Sequence, residues 1–310
     1  MKPVIVDCDP GHDDMVAIML AAASDEIDLL AITTVAGNGT LENTTRNARA
    51  TCELARIEGV LIAAGAPGPL LGGLRTAPTV HGESALDGAE LPSGDAVALA
   101  PEHAVELTAR ILREHAEPVT IVPVGPLTNI ALLLRTYPEL TQRIAEIVVM
   151  GGSMGAGNVT PFAEFNIWVD PEAADVVLSS GVPVTLCGLD VTHQALATAE
   201  VFARLSAIGS RVATTTVDLL GFFRDRYRER WGIDAPPVHD PVAVARVLDP
   251  ALVRCVDAHV AIELHGAHTR GATVCDRYGV LGRAPNAQVA VELDAARFWD
   301  RVIDAIARLG

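Results

Sequence analysis

Basic charge is scarce in this sequence. Its 23 lysines and arginines face 39 aspartates and glutamates, a formal net charge of −16, so phosphate backbones and anionic membrane surfaces are repelled at long range. Neither nucleic acid nor a membrane is an expected partner, whereas small neutral substrates and cations remain compatible. Cysteine is also sparse. Cys8, Cys52, Cys187, Cys255 and Cys275 are scattered, odd in number and never spaced as Cys-x-x-Cys, which argues against a disulfide framework and a zinc knuckle. Aromatic residues make up only 4% of the chain, which suits a core of Val, Ile, Leu and Ala better than an aromatic-rich all-β fold. No apolar run approaches the ~18 residues of a membrane span. Met1-Lys2-Pro3 passes directly into Val4-Ile5-Val6 and Asp7, which leaves no room for the apolar region of a signal peptide. A cytoplasmic protein is expected.

Short apolar runs alternate with helical periodicity. Val4 to Val6, Leu29 to Val35, Leu61 to Ala64, Val119 to Val124, Ile147 to Met150 and Val184 to Cys187 read as strands. Met15 to Ala23, Thr44 to Ile57, Leu127 to Leu134 and Glu172 to Leu178 read as helices between them. The strands are nearly continuous in hydrophobicity, as expected when helices cover both faces of a sheet. The pattern predicts an α/β fold, a single domain over residues 1–310, with a mostly parallel, doubly wound (Rossmann-like) central sheet flanked by helices. In such sheets ligands bind at the carboxyl ends of the strands, where D-C-D-P-G-H-D-D from Asp7, T-V-A-G-N ending at Asn38, V-G-P-L-T-N from Val124 and G-G-S from Gly151 all fall. Residues 65–101 are rich in Gly and Pro and read as a long surface connection carrying His81-Gly82-Glu83. Two helices are expected after Val201, the second bearing Phe223 and Tyr227 and ending near Trp231. Strands near 256–264, 273–275 and 289–293 and a final helix from Ala295 follow.

Asp7, Asp9, Asp13 and Asp14 place four carboxylates within eight positions at the exit of the first strand. A helix N-terminus stabilises an acidic side chain by only ~0.3 to 1 kcal/mol, too little to hold several desolvated carboxylates together. A single acid here would be read as a helix cap; four call for a cation. All the candidate ligands are oxygens, with no His or Cys at metal-ligand spacing, so a hard ion such as Ca²⁺ or Mg²⁺ is favoured over zinc. The 12-residue EF-hand pattern is absent.

D-C-D-P-G-H-D-D after the first strand resembles the signature of the inosine-uridine preferring nucleoside hydrolase family. The likeness continues through T-V-A-G-N, V-H-G-E, V-P-V-G-P-L-T-N, V-M-G-G, G-N-V-T-P-F-A-E-F-N-I-W-V-D-P-E-A and V-H-D-P-V-A-V, in order and over essentially the whole chain. The resemblance implies cleavage of the N-glycosidic bond of purine or pyrimidine ribonucleosides to free base and ribose. It implies Ca²⁺ held by Asp9, Asp14, Asp240 and the main-chain carbonyl of Val124, with Asp9 taking a proton from the attacking water. Asp13, Asn38, Asn158, Glu164 and Asn166 match ribose-binding positions. Met150 lines the sugar pocket, Phe165 lies within the substrate motif, and His81 lies near the base. His239 matches the position proposed to protonate the departing base, and Tyr227 is a candidate base contact. Family members of this kind are usually homodimers or homotetramers.

These residue types suit the chemistry. Breaking the bond builds positive charge on the ribose and negative charge on the base, so the sugar needs anionic surroundings and the leaving group needs a proton. Calcium is a feeble Lewis acid beside zinc, so a carboxylate must assist the water. Discrimination against a deoxy sugar needs polar partners left unpaired when a hydroxyl is missing. His239 is expected to titrate near neutrality and so to serve as the acid. Phe223, Tyr227 and Trp231 fit a mobile lid or core packing equally well.

Other readings make different predictions. Gly151-Gly152-Ser153-Met154-Gly155 satisfies the G-x-S-x-G elbow of a serine hydrolase, but Gly155, Gly157, Asn158 and Pro161 follow where an elbow needs a helix. Asp7 and Asp9 fit the D-x-D loop of an aspartyl phosphatase, which leaves Glu164, Asn166 and His239-Asp240 without a task. Cys8 as a nucleophile would have its thiol pKa raised by the carboxylates around it. A ribose- or nucleoside-binding protein with a structural calcium is the non-enzymatic alternative.

Overall fold

The computed structural model describes residues 1–310. Nine strands join one sheet: β1 (Lys2–Cys8), β2 (Ile27–Thr34), β3 (Leu61–Ala64), β4 (Val119–Pro123), β5 (Ile144–Met150), β6 (Val184–Cys187), β7 (Val253–Ile262), β8 (Thr273–Asp276) and β9 (Ala287–Leu293). Their order is β3-β2-β1-β4-β5-β6-β9-β7-β8. The pairings from β3 through to β9 are parallel, and β7 runs antiparallel to both β9 and β8. The chain winds outward from β1 in one direction, then returns to β4 on its other side. The crevice between the carboxyl ends of β1 and β4 is therefore the topological switch point where open α/β sheets bind ligands.

The central strands are buried along almost their whole length because each face has its own hydrophobic core. Val4, Val6 and Cys8 of β1 enter one core with Val122, Val148 and Met150. Ile5 enters the other with Ile121, Ile147 and Val149. This alternation is the period-two geometry of a strand, and the lack of an alternating polar position is the cost of covering both sides. The first core takes its other wall from the helices His12–Ala23, Leu41–Leu54, Pro241–Leu248 and Ala295–Arg308. The second takes it from Ala104–Glu114, Thr128–Thr136 and Pro171–Leu178. Truncating a fully buried residue such as Ile5 to alanine would cost about 2–5 kcal/mol.

Helix starts follow local chemistry. The Thr40 side chain accepts from Asn43 N, Ser210 from Ala213 N, and Asp170 from Ala173 N just before Pro171, each supplying an acceptor to an otherwise orphaned amide. The long connection of residues 65–101 is not featureless, since Pro78–His81 forms a single helical turn. No helix is long and apolar enough to cross a membrane.

Candidate active site

Asp9 leaves the end of β1 and is wholly buried. Its Oδ2 accepts from Asn38 N at 2.6 Å, while its Oδ1 is buried without a hydrogen-bond partner. The carboxylate is wedged between two backbone turns. A Cβ on Gly37 would lie 2.2 Å from Asp9 Oδ2, and one on Gly125 would lie 2.4 Å from Oδ1, so T-V-A-G-N and V-G-P-L-T-N need their glycines for close approach. Asp14, in the first turn of the helix His12–Ala23, accepts from Asp9 N at 3.0 Å, Gly11 N at 2.9 Å and Asn38 Nδ2 at 3.2 Å. Asp13 Oδ2 accepts from His239 N at 3.2 Å, which brings the first turn of that helix against the start of Pro241–Leu248, where Asp240 sits.

One oxygen from each of Asp13, Asp14 and Asp240 lies within 4.8 Å of the others. Burial, then the neighbouring Asp14, pushes Asp9 well above the usual carboxylate range and Asp13 up to about 7. Burial first, and then Asp13 and Asp14, push Asp240 well above it. Burial also raises Asp14, partly offset by its bond from Gly11. No lysine or arginine forms a salt bridge with any of these four. Carboxylates packed in this way need protons or a cation, and an all-oxygen donor set suits a hard divalent ion. The partnerless Oδ1 of Asp9 fits such an ion as well. Asp7 stands apart from the cluster: its Oδ1 accepts from Thr33 Oγ1 at 2.5 Å and Asn129 Nδ2 at 2.8 Å, and burial raises it to about 7.

Above the carboxylates opens a cavity of about 260 Å³, near the lower end for a small-molecule site. Asp13, Asn38, His81, Val124, Met150, Asn158, Glu164, Phe165, Asn166, Tyr227, His239 and Asp240 all line it. Of the predicted site residues, only Asp9 and Asp14 lie beneath its wall. The cavity is acidic where it meets Asp13, Glu164 and Asp240, and aromatic where it meets Phe223, Tyr227 and Trp231. Val124 O accepts from Asn166 Nδ2 at 2.8 Å, and Met150 O accepts from the same amide at 3.1 Å, which aims Asn166 across the ends of β4 and β5. Glu164 caps the short helix Phe165–Val169, accepting from Asn166 N and also from Gly152 N, both at 3.0 Å. Burial raises it to about 7 against these bonds. Asn158 Oδ1 accepts from Phe165 N at 2.9 Å.

His239 requires a correction. It is held at both nitrogens, Nδ1 at 2.7 Å from Thr192 Oγ1 and Nε2 at 2.8 Å from Tyr227 OH. Burial, helped by His193, lowers it to about 3 rather than leaving it near neutrality. At neutral pH the ring is uncharged. Phe223 and Tyr227 are buried and line the cavity, so they serve both as packing and as wall. Trp231 sits half-exposed at the mouth.

Sequence reasoning assigned nothing to Thr192, Asn129 or His12, which hold His239, Asp7 and His81 respectively. Asn129 and His12 lie inside motifs already singled out, so position was a signal for them; Thr192 carried none. The serine-elbow reading fails, because Ser153 is followed by bends and no helix begins there. Cys8 is fully buried, and burial followed by Asp14 raises its thiol well above the usual range, which removes it as a nucleophile.

Residues 4–300 match the family described as inosine-uridine preferring nucleoside hydrolase. The chain belongs to this family. A pyrimidine-specific ribonucleoside hydrolase, RihA, of Escherichia coli is 50% identical over 307 residues, covering 98% of each chain. Among solved structures, a purine-preferring ribonucleoside hydrolase from Gardnerella vaginalis superposes with a TM-score of 0.93 at 32% identity, over 99% of both chains. A plant nucleoside hydrolase does so with a TM-score of 0.91 at 30% identity, again over 99% of both. As a member of the family the protein is an enzyme, a ribonucleoside hydrolase, and the α/β architecture expected from the strand pattern is the family's own.

Proposed function

We propose that the protein hydrolyses pyrimidine ribonucleosides to free base and ribose in a calcium-dependent reaction. The observation that carries this reading is a single cavity lined both by carboxylates and amides and by aromatic and imidazole rings. A ribose and a base need these two environments, and the 50% identical relative named as pyrimidine-specific supports the choice of base.

Asp9, Asp14, Asp240 and the Val124 carbonyl would hold Ca²⁺. The clustering of Asp14 with Asp240 and the partnerless Oδ1 of Asp9 support this set. Asp13 belongs to the same cluster and lines the cavity, and in this reading it turns to a ribose hydroxyl. When bound, the ion neutralises the carboxylates and positions the attacking water. Asp9 accepts the proton of that water as it attacks the anomeric carbon. Asp13, Asn158, Glu164 and Asn166, with Asn38 beside Asp9, hold the ribose hydroxyls. Asp13, Glu164 and Asp240 also place negative charge around the carbon that becomes electron-poor. Met150 and Phe165 pack on the sugar. The Tyr227 hydroxyl meets the departing base and gives it its proton, and the Nε2–H of the neutral His239 stays hydrogen-bonded to the phenolate that is left. The five free thiols, three of them buried, are compatible with a reducing cytoplasm.

The test is ribose release, followed as reducing sugar, from uridine, cytidine, inosine and 2′-deoxyuridine, with calcium or with a chelator. Release from uridine and cytidine that needs calcium and the 2′-hydroxyl supports the proposal. Tight binding of uridine with no release would instead make the protein a nucleoside-binding one.

A further inference from the structure

His12 lies in the middle of the acidic motif yet does not line the cavity. Its ring is buried and stacked, at 5.4 Å and 5° on Phe222, 5.3 Å and 14° on Phe223, and 5.2 Å and 28° on His81. Its Nε2 is 2.8 Å from the main-chain carbonyl of Asp87, and its Nδ1 is 3.0 Å from Nδ1 of His81. A carbonyl has no proton to give, so His12 Nε2 must donate. The Asp87 carboxylate is turned to Glu83 and Ser84, so neither His12 nitrogen has a carboxylate in hydrogen-bond contact and an imidazolium buried between aromatic rings is disfavoured; a neutral His12 has only a lone pair left at Nδ1. The proton on the line between the two rings then belongs to His81 Nδ1, and a neutral His81 has a bare Nε2. That nitrogen has no partner in the chain, and the His81 ring lines the cavity.

The surroundings hold this geometry in place. A Cβ on Gly11 would sit 2.6 Å from His81 Nδ1, so the ring rests directly on the Gly11 backbone. The turn that presents the Asp87 carbonyl adopts left-handed backbone at Gly82 (φ 81°) and at Ala85 (φ 64°), the latter strained for a residue with a side chain. The Asp87 carboxylate fastens the same turn by accepting from Glu83 N at 3.1 Å and Ser84 N at 3.2 Å.

We propose that His12 is a positioning residue that locks His81 in its Nδ1–H tautomer, so that His81 offers the Nε2 lone pair to an N–H group on the base. The inference rests on the reading of the cavity as a nucleoside site. Uracil has a single N–H in a nucleoside, at N3, so an acceptor at the base end can bond uracil only there. An acceptor that finds no donor is left buried and unpaired, and that difference becomes selectivity.

The test uses the calcium-loaded full-length enzyme in two measurements. Long-range ¹H–¹⁵N correlation on ¹⁵N-histidine protein, assigned with His12→Phe and His81→Phe, reads the tautomers without substrate. The expected result is Nε2–H for His12 and Nδ1–H for His81, with His81 losing its fixed tautomer in His12→Phe. Finding Nε2–H on His81 in the wild type would overturn the proposal whether or not uridine is cleaved. The second measurement compares kcat/KM for uridine and 3-methyluridine, which replaces N3–H by N–CH₃ and so removes the donor. Taking the ratio within each enzyme and comparing it between enzymes cancels the intrinsic difference between leaving groups. The wild-type ratio should exceed that of His12→Phe by ~10-fold or more, and His12→Asn, whose Oδ1 can accept from His81 Nδ1–H, should restore it. An equal ratio in wild type and His12→Phe would overturn the proposal. Absence of ribose release in the wild type would count against the hydrolase reading and leave the tautomer result to stand by itself.

Discussion

At the acidic end of the site, Asp13, Glu164 and Asp240 stand at helix starts against a frame of residues at or just beyond the carboxyl ends of parallel strands, Asp9 after β1, Asn38 after β2, Val124 after β4 and Met150 closing β5. At the aromatic end the polar groups come from elements far apart in sequence: His81 from a single helical turn, Tyr227 from the helix Arg211–Trp231, and His239 from the approach to Pro241–Leu248. The first end is fixed by sheet register and by glycines that let backbone touch carboxylate. The second is fixed by ring stacking and by bonds between side chains, such as Tyr227 to His239 and His12 to His81. In the proposed reading the sugar is held on a rigid strand-end frame, and the base meets loop and helix residues whose replacement would not disturb the sheet.

Breaking the acidic end should have the largest effect. Asp9→Ala removes the proposed base and is expected to lower kcat for every nucleoside by about a thousandfold, which corresponds to about 4 kcal/mol of transition-state stabilisation. Stopped assays across several bases would show a uniform loss, and a base-dependent loss would contradict the division between the two ends. Breaking the aromatic end should be selective. His239→Ala and Tyr227→Phe are each expected to lower kcat on uridine by about a hundredfold while sparing a p-nitrophenyl riboside, whose leaving group needs no proton. Equal losses on both substrates would remove this pair as the acid.

Calcium should stabilise the acidic end in a pH-dependent way. Asp13 and Glu164, raised to about 7 from 3.8 and 4.5, bind more protons folded than unfolded. Their contribution is therefore complete below pH ~4 and is lost as pH rises through about 7. His239 and His12, lowered to about 3 and about 4, act in the opposite sense only below pH ~6.5. Between pH 6.5 and 8 the chelated protein should lose Tm with rising pH. Calcium at a hundred times its Kd should restore about 2.7 kcal/mol and flatten the slope. Thr33→Val, which removes one of the two side-chain donors to Asp7, should cost about 1 kcal/mol in urea denaturation and leave kcat unchanged, since Asp7 stands outside the cavity wall.

The same contrast explains what could be read from the sequence. Strand ends are marked by continuous apolar runs and followed at once by polar motifs, so the placement of Asp9, Asn38 and Val124 around one crevice was legible before the fold, whereas Asp240, which follows no strand, was reached only through the family resemblance. The base end was not, because contacts such as Thr192 to His239 or His12 to His81 join residues 47 and 69 positions apart and leave no periodic trace. His239 was mistaken for a near-neutral acid for a related reason. Its adjacency to Asp240 is visible in the sequence, whereas the burial that lowers it is a property of the packed helices. The single turn Pro78–His81 was hidden within a Gly- and Pro-rich stretch for want of length.

The most direct test of the account is the initial rate of ribose release from uridine, set against that from inosine, with the enzyme first stripped by chelator and then titrated with calcium. The account predicts no release from the stripped enzyme, restored release from uridine as calcium is added, and a clear preference for uridine over inosine. Full activity in the presence of chelator would contradict the assignment of the carboxylate cluster to a metal, and a preference for inosine would contradict the pyrimidine reading of the aromatic end.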